Sequence, residues 1–235
     1  MATNVLINRA SSGSWYWHRV VPLLLGRGHQ VVAPDLPIDD DAAGLEEYAD
    51  AVVAAIDDRR DLILVAQSMA GFTASIVCTR LPVDLLILAA AMVPRPNESP
   101  EKWWETPGYT DARRESDARL GLPAGNAFDA LTIFLHDVPD EVAAEAMRRS
   151  ERRQSDTPFL KPWPLAAWPD VPTEFLLCRD DRFFPAAFMR RVVKERLDIT
   201  PDVMERGHLP ALAHPTELVE RLELYRVAHF GPTTG

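Results

Sequence analysis

The sequence predicts an α/β fold, a mostly parallel sheet of about six strands with helices on both faces and a helical segment inserted between the fourth and fifth strands. Three observations carry this. Short β-branched apolar runs alternate with segments of helical spacing, the pattern of repeated strand–helix crossovers. Two of those runs, Leu62–Ala66 and Val83–Ala91, are apolar almost without interruption, as strands covered on both faces require. Between about Pro94 and Pro169 prolines, tryptophans and short helical patterns replace the alternation.

The 235 residues suit one α/β domain with an insertion, or at most two small domains, and 47% hydrophobic residues supply a sizeable core. A net charge of -10 argues against nucleic acid or an anionic membrane as the main partner and leaves a small-molecule substrate, with a homodimer open. Cys78 and Cys178 lie in apolar stretches and read as buried thiols rather than a disulfide or metal site. The first residues lack a charged-then-apolar signal pattern and no apolar run approaches a membrane span, so a cytoplasmic protein is expected.

Asn4–Asn8 reads as the first strand and Arg9–Ser14 as its exit loop. Trp15–Arg27 carries Trp15, Val20, Leu23 and Leu24 at helical spacing, and Pro22 inside it predicts a kink because proline removes a backbone donor. Gly26 to Gly28 ends that helix, and Gln30–Pro34 is the second strand. Asp39, Asp40 and Asp41 lead a helix over about Gly44–Asp58, at its positive end. Leu62–Ala66 is followed by a turn and a helix over Phe72–Thr79, then by the strand Val83–Ala91. In the inserted segment Val138–Arg153 is the clearest helix, opened by Asp140 and Glu141 and closed by Arg148, Arg149, Arg152 and Arg153. The alternation resumes with a strand at Thr173–Cys178, a helix at Ala186–Arg196, a short strand at Pro201–Glu205 and a closing helix at Thr216–His229. Residues 231–235 are expected to fray. The division that follows is a core of 1–93 and 170–235 with a helical lid, 94–169, set into it.

The chemistry concentrates after Leu62–Ala66. A serine on a sharp strand-to-helix turn is pushed out above the sheet, with helix N–H groups aimed at developing negative charge. Here the turn is Gln67-Ser68-Met69-Ala70-Gly71. The usual form is Gly-x-Ser-x-Gly. Both glycines are alanines, Ala66 and Ala70, still small where strand and helix backbones pass closely. A serine in such a turn is also an ordinary helix cap, so the reading rests on partners. Active residues in these sheets gather at the carboxyl ends of strands. Asp181 falls after the fifth strand and His208 after the sixth, giving a nucleophile, an orienting acid and a base in the order Ser…Asp…His. Asp180 is the fallback acid, and Asp35, at another strand end, reads as a helix cap. His18 and His136 are candidates for substrate contact. His29, His214 and His229 read as surface residues.

With these residues in place the chain resembles the α/β-hydrolase superfamily over nearly its whole length, in the small esterase and hydroxynitrile-lyase-like branch. The resemblance rests on Gly13-Ser14-Trp15-Tyr16-Trp17, the stretch from Gly28 to Pro37, Asp181-Arg182-Phe183-Phe184-Pro185 and Gly207-His208-Leu209-Pro210. It implies the α/β-hydrolase fold, an enzyme, and oxyanion donors at the backbone N–H of Met69 and Ala10. One departure stands out: the His-Gly pair usual in the first loop is Asn8-Arg9. Arg9 either reshapes that loop, brings a guanidinium to the pocket to bind a carboxylate, enolate or phenolate oxygen, or points to solvent or a nearby Asp. The tryptophans of the insertion with Phe159, Phe183 and Phe184 suggest an apolar or aromatic pocket, Trp104 and Phe183 being the candidate contacts. No metal cluster, dinucleotide fingerprint or phosphate loop is present in the sequence, so no cofactor is implied. The function these features imply is serine-dependent hydrolysis of a small apolar or aromatic ester. The alternatives are a lyase, cyclase or carbon–carbon bond former of natural-product biosynthesis using His208 as general acid/base, and a non-catalytic small-molecule receptor.

Overall fold

The apolar runs form the strands β1 (Thr3–Ile7), β2 (Gln30–Val32), β3 (Leu62–Gln67), β4 (Leu85–Ala89), β5 (Thr173–Cys178) and β6 (Asp202–Met204) in a computed structural model that describes residues 1–122, 129–149 and 153–231. They pair in the order β2-β1-β3-β4-β5-β6, every pair parallel. Successive side chains of a strand point to opposite faces, and both faces here are apolar. Val5, Ile7, Leu64, Leu88 and Phe175 pack on one side, where α2 (Leu45–Ile56), α3 (Ala70–Val77) and α9 (Ala186–Leu197) cover them. Leu6, Ile63, Val65, Ile87 and Leu176 pack on the other, against a 3-10 turn at Ser14–Trp17, α1 (Val21–Leu25) and α11 (Pro215–Phe230). The order reverses between β1 and β3, so the loops leaving those two strands flank the crevice where open α/β sheets bind ligands.

Between β4 and β5 lie α4 (Pro100–Trp103), α5 (Tyr109–Arg119), α6 (Ala130–Ile133), α7 (Asp140–Arg149) and α8 (Thr157–Leu160). After β6 a short α10 (Pro210–Ala213), absent from the sequence reading, precedes α11. Other boundaries also differ from expectation. The kinked helix over Trp15–Arg27 is instead the 3-10 turn and a separate α1, with Pro22 in the first turn of α1. A missing N–H costs nothing there, because the first-turn donors have no intrahelical acceptor. Asp39 to Asp41 do not lead α2. The acids of its first turn are Glu46 and Glu47, and Glu47 Oε2 accepts from the Gly44 N–H at 2.7 Å. Asp41 instead binds Arg153 of the insertion at 2.6 Å, and the Asp39 carbonyl accepts from it at 2.8 Å. Arg153 therefore serves as a tether and not as the end of α7; Arg152 lies outside the described residues, as does the tail beyond Gly231. His29, expected at the surface, is buried: its Nδ1 accepts from the Ala2 N–H and its Nε2 lies 2.7 Å from Glu223. Cys178 is buried and Cys78 partly so, both as free thiols, and burial pushes the Cys78 thiol up to about 12. No helix among the described residues is long and apolar enough to cross a membrane.

Candidate active site

β3 ends at Gln67 and α3 begins at Ala70, so Ser68 occupies a turn too short to be made with extended or helical backbone. Ser68 takes a φ of 57°, the left-handed conformation that costs a residue with a Cβ roughly 1–2 kcal/mol. Hydrogen bonds to its carbonyl hold it there: the Met92 N–H donates at 2.9 Å and the Gly71 N–H at 3.3 Å. The stringent requirement for glycine lies at Gly71. A Cβ there would stand 2.0 Å from the Met92 carbonyl oxygen. Ala66 and Ala70 are fully packed as alanines, which explains how both glycines of the usual pattern can be absent.

Around this turn three side chains form one line. Ser68 Oγ lies 3.3 Å from His208 Nε2, and His208 Nδ1 lies 2.7 Å from Asp181 Oδ2. The other Asp181 oxygen accepts from the Phe183 N–H at 2.7 Å and the Phe184 N–H at 2.9 Å, which fixes the carboxylate. Imidazole and carboxylate are each 1% exposed. A carboxylate only accepts, so Nδ1 carries the proton and Nε2 is left to accept from the serine hydroxyl. Asp180 turns to the surface and pairs with Arg179 at 3.0 Å, outside this line. His208 is held from three further directions. Gln67 Nε2 donates to the His208 carbonyl at 2.9 Å. The rings of Phe134, Phe183 and Phe184 surround the imidazole with centroids at 5.4, 5.2 and 5.0 Å. The Gly207 N–H donates to Asp137 Oδ2 at 2.7 Å, and a Cβ on Gly207 would come within 2.5 Å of the other Asp137 oxygen.

A cavity of about 290 Å³ opens over Ser68 and His208, walled by Met69, Met92, Trp104, Phe134, Phe159 and Phe183. Ala10 and Arg9, from the loop after β1, complete it. Neither the Met69 nor the Ala10 N–H has a hydrogen-bond acceptor among the described residues. Asn8, standing where a histidine is usual, braces the loop from inside: its Nδ2 donates to the Ser12 carbonyl at 2.6 Å. Gln154 of the insertion braces it from outside, accepting from the Ser11 N–H at 2.9 Å. Arg9 lines the cavity and is half-buried. Its Nη1 donates to the Ala10 carbonyl at 3.0 Å, its Cζ lies 5.8 Å from the Phe134 ring centroid, and its Nε is buried without an acceptor. Burial pulls the guanidinium pKa below its ordinary value. The arrangement can deprotonate a hydroxyl, stabilise the imidazolium that results and bind an oxyanion.

The sequence model of the "Alpha/beta hydrolase family" matches residues 5–221. The chain belongs to that family. Among relatives, this α/β hydrolase is 23% identical to polyneuridine aldehyde esterase of Rauvolfia serpentina, over 93% of each chain. It is equally 23% identical, over 93% of each chain, to norfluorocurarine synthase 1 of a Strychnos species. Among solved structures it superimposes on a pyrethroid hydrolase from Sphingobium faniae JZ-2 with a TM-score of 0.75 and 23% identity, covering 97% of this chain and 98% of that one.

The remaining candidates divide. Trp104 and Phe183 line the cavity, their rings 4.9 Å apart. His18 does not: it is exposed, stacked on Trp15 at 4.3 Å, with Nδ1 donating to the Trp15 carbonyl. The 3-10 turn ends at Trp17, so His18 follows it with its ring exposed on the α/β hydrolase core. His136 faces a separate cavity that also contacts Asp181 and Arg182, and burial lowers its pKa. Asp35 accepts from the Ser14 N–H at 2.7 Å, capping the 3-10 turn. Sequence reasoning missed Gln67, Met92 and Phe134. Only Gln67 carried a signal, as a polar residue closing an apolar strand. Among the described residues no group of three or more His, Cys, Asp or Glu is arranged to hold a metal.

Proposed function

We propose that this α/β hydrolase is a serine-dependent carboxylic ester hydrolase acting on small esters with an apolar or aromatic portion. One observation carries the reading: the Ser68–His208–Asp181 line opens into an apolar cavity lined also by Ala10 and Met69, whose N–H groups have no acceptor among the described residues. Ser68 Oγ attacks the ester carbonyl while His208 Nε2 takes its proton. Asp181 holds the imidazole in the required tautomer and stabilises its charge. The Ala10 and Met69 N–H groups receive the oxyanion, each such donor contributing about 3 kcal/mol to the barrier. His208 then protonates the departing alcohol, and a water activated by the same nitrogen releases the acid. Trp104, Phe134 and Phe159, all from the insertion, line the cavity, and the insertion serves as its lid. A cavity of about 290 Å³ is at the small end for ligand sites and favours a compact substrate. The relatives named esterase and hydrolase support this chemistry.

The relative named a synthase favours one second reading, in which the same His208 acts as general acid/base and no acyl-enzyme forms. Hydrolysis of phenyl acetate, ethyl butyrate and methyl benzoate, followed by pH-stat, tests the choice. Ser68→Ala is expected to lower turnover at least ~10³-fold. Hydrolysis retained in that variant overturns the serine mechanism.

A further inference from the structure

Arg9 is an unusual cation for the place it occupies. It lines the same cavity as Ser68 and His208, and the walls around it are apolar. Arg196 offers a contrast: its side chain is 2% exposed and it has a carboxylate, Glu98, at 2.5 Å. Arg9 has no carboxylate partner among the described residues, in a chain with 35 acidic residues against 25 basic ones. One nitrogen is held by the Ala10 carbonyl, the Phe134 ring stands near the outer limit of a cation–π contact, and Nε has nothing. A half-buried guanidinium whose buried Nε has no acceptor gains from a carboxylate brought in by a ligand, through a charge-assisted, fork-matched pair. Asn8 and Gln154 fix the loop, so the group is held in place before a ligand arrives.

We propose that Arg9 is a specificity-determining residue that binds an ionised carboxylate of the substrate, so that the preferred esters are half-esters. The inference rests on the ester-hydrolase reading of this cavity. Arg9 adjoins Ala10, the oxyanion donor of that reading, which places the free carboxylate a few bonds from the scissile carbonyl. The net charge of -10 repels such substrates at long range, and Arg9 supplies the local attraction that reverses this inside the cavity.

Two matched pairs of esters test it. Monoethyl glutarate against ethyl pentanoate places the carboxylate on the acyl side; 4-acetoxybutyrate against butyl acetate places it on the alcohol side. In the wild-type protein the charged member of one pair is expected to have a kcat/KM about tenfold higher or more, the size of one charge-assisted hydrogen bond, expressed in KM. In Arg9→Gln and Arg9→Met that ratio falls to one or below. A wild-type ratio of one or less in both pairs, which needs no variant, overturns the proposal, as does a ratio the variants leave unchanged. A binding arm works without turnover: glutarate raises the wild-type Tm above that seen with sulfate at equal ionic strength, and does not raise that of Arg9→Gln. If no ester is turned over, the hydrolase reading fails and this arm alone decides. An Arg9-dependent glutarate shift then sustains carboxylate binding, and its absence removes it.

Discussion

Replacing Gly71 by alanine isolates the backbone contact that shapes the serine turn. The added Cβ would lie 2.0 Å from the Met92 carbonyl oxygen, about 1.4 Å inside ordinary van der Waals contact. Side-chain rotation cannot relieve it, because the obstructing atom is backbone. Either α3 or the segment leaving β4 must move, so the cost belongs at the upper end of overpacking, about 3 kcal/mol. For a chain of this length that corresponds to a Tm lower by roughly 6–12 °C. The shift also carries chemistry. The Met92 N–H holds the Ser68 carbonyl at 2.9 Å, and Met92 walls the cavity. A displacement of about 1 Å at the nucleophile is expected to slow reaction on the order of 10²-fold. Urea unfolding followed by circular dichroism gives the stability, and the rate of fluorophosphonate labelling gives the reactivity. Gly28→Ala is the control: φ is 81° there but no atom lies within 4 Å of the added Cβ, so only backbone strain of about 1 kcal/mol is expected, with labelling unchanged. A Gly71→Ala protein within 0.5 kcal/mol of wild type on the ~1 kcal/mol scale of ordinary substitutions, and labelled at the wild-type rate, would refute the close-passage argument.

Other perturbations probe the rest of the site. Asp181→Asn removes the acceptor facing His208 Nδ1 and allows the wrong tautomer; turnover should fall on the order of 10⁴-fold with the fold intact by circular dichroism. Gln67→Met keeps volume but leaves the buried His208 carbonyl unpaired, which should cost about 1–3 kcal/mol in urea unfolding and slow labelling as His208 loses its anchor. Stability should also fall as pH drops below about 6.5. Burial lowers the folded pKa of His136 and of His214, so each contributes stability that is full above the unfolded value and lost as pH falls through the folded one. His136→Asn should flatten that part of the curve. The carboxylates of Asp41 and Glu47 are held below their ordinary range by Arg153 and by the Gly44 N–H, so their contribution is lost at lower pH, below about 4.5.

Much of the core was legible because its signals are local. Runs such as Leu62–Val65 and Leu85–Leu88 have one reading when both faces of a strand are buried, and residues at strand ends follow from that. This is how Ser68, Asp181 and His208 were singled out. The structure joins them across a sheet whose strand order the sequence did not reveal. What stayed hidden depends on long-range placement. Gln67 meets the His208 carbonyl across 141 positions, and Gln154 meets Ser11 across 143. His29 looks like a loop residue until Glu223 of the closing helix arrives beside it. His18 fits a helix facing the pocket only if Trp15–Arg27 is one helix; instead it follows a 3-10 turn that ends at Trp17, its ring exposed and stacked on Trp15. Phe134 lies in an insertion with no regular period, so no pattern marked it as a wall of the cavity.

The most direct measurement is intact-mass detection of labelling by a fluorophosphonate probe, with Ser68→Ala alongside. The proposed mechanism, with Ser68 activated by His208 and Asp181 and the oxyanion received by the Ala10 and Met69 N–H groups, predicts one adduct per chain in the wild type and none in the variant. A well-folded wild-type protein that takes no label, or a Ser68→Ala protein that labels equally, would contradict the assignment of Ser68 as the nucleophile.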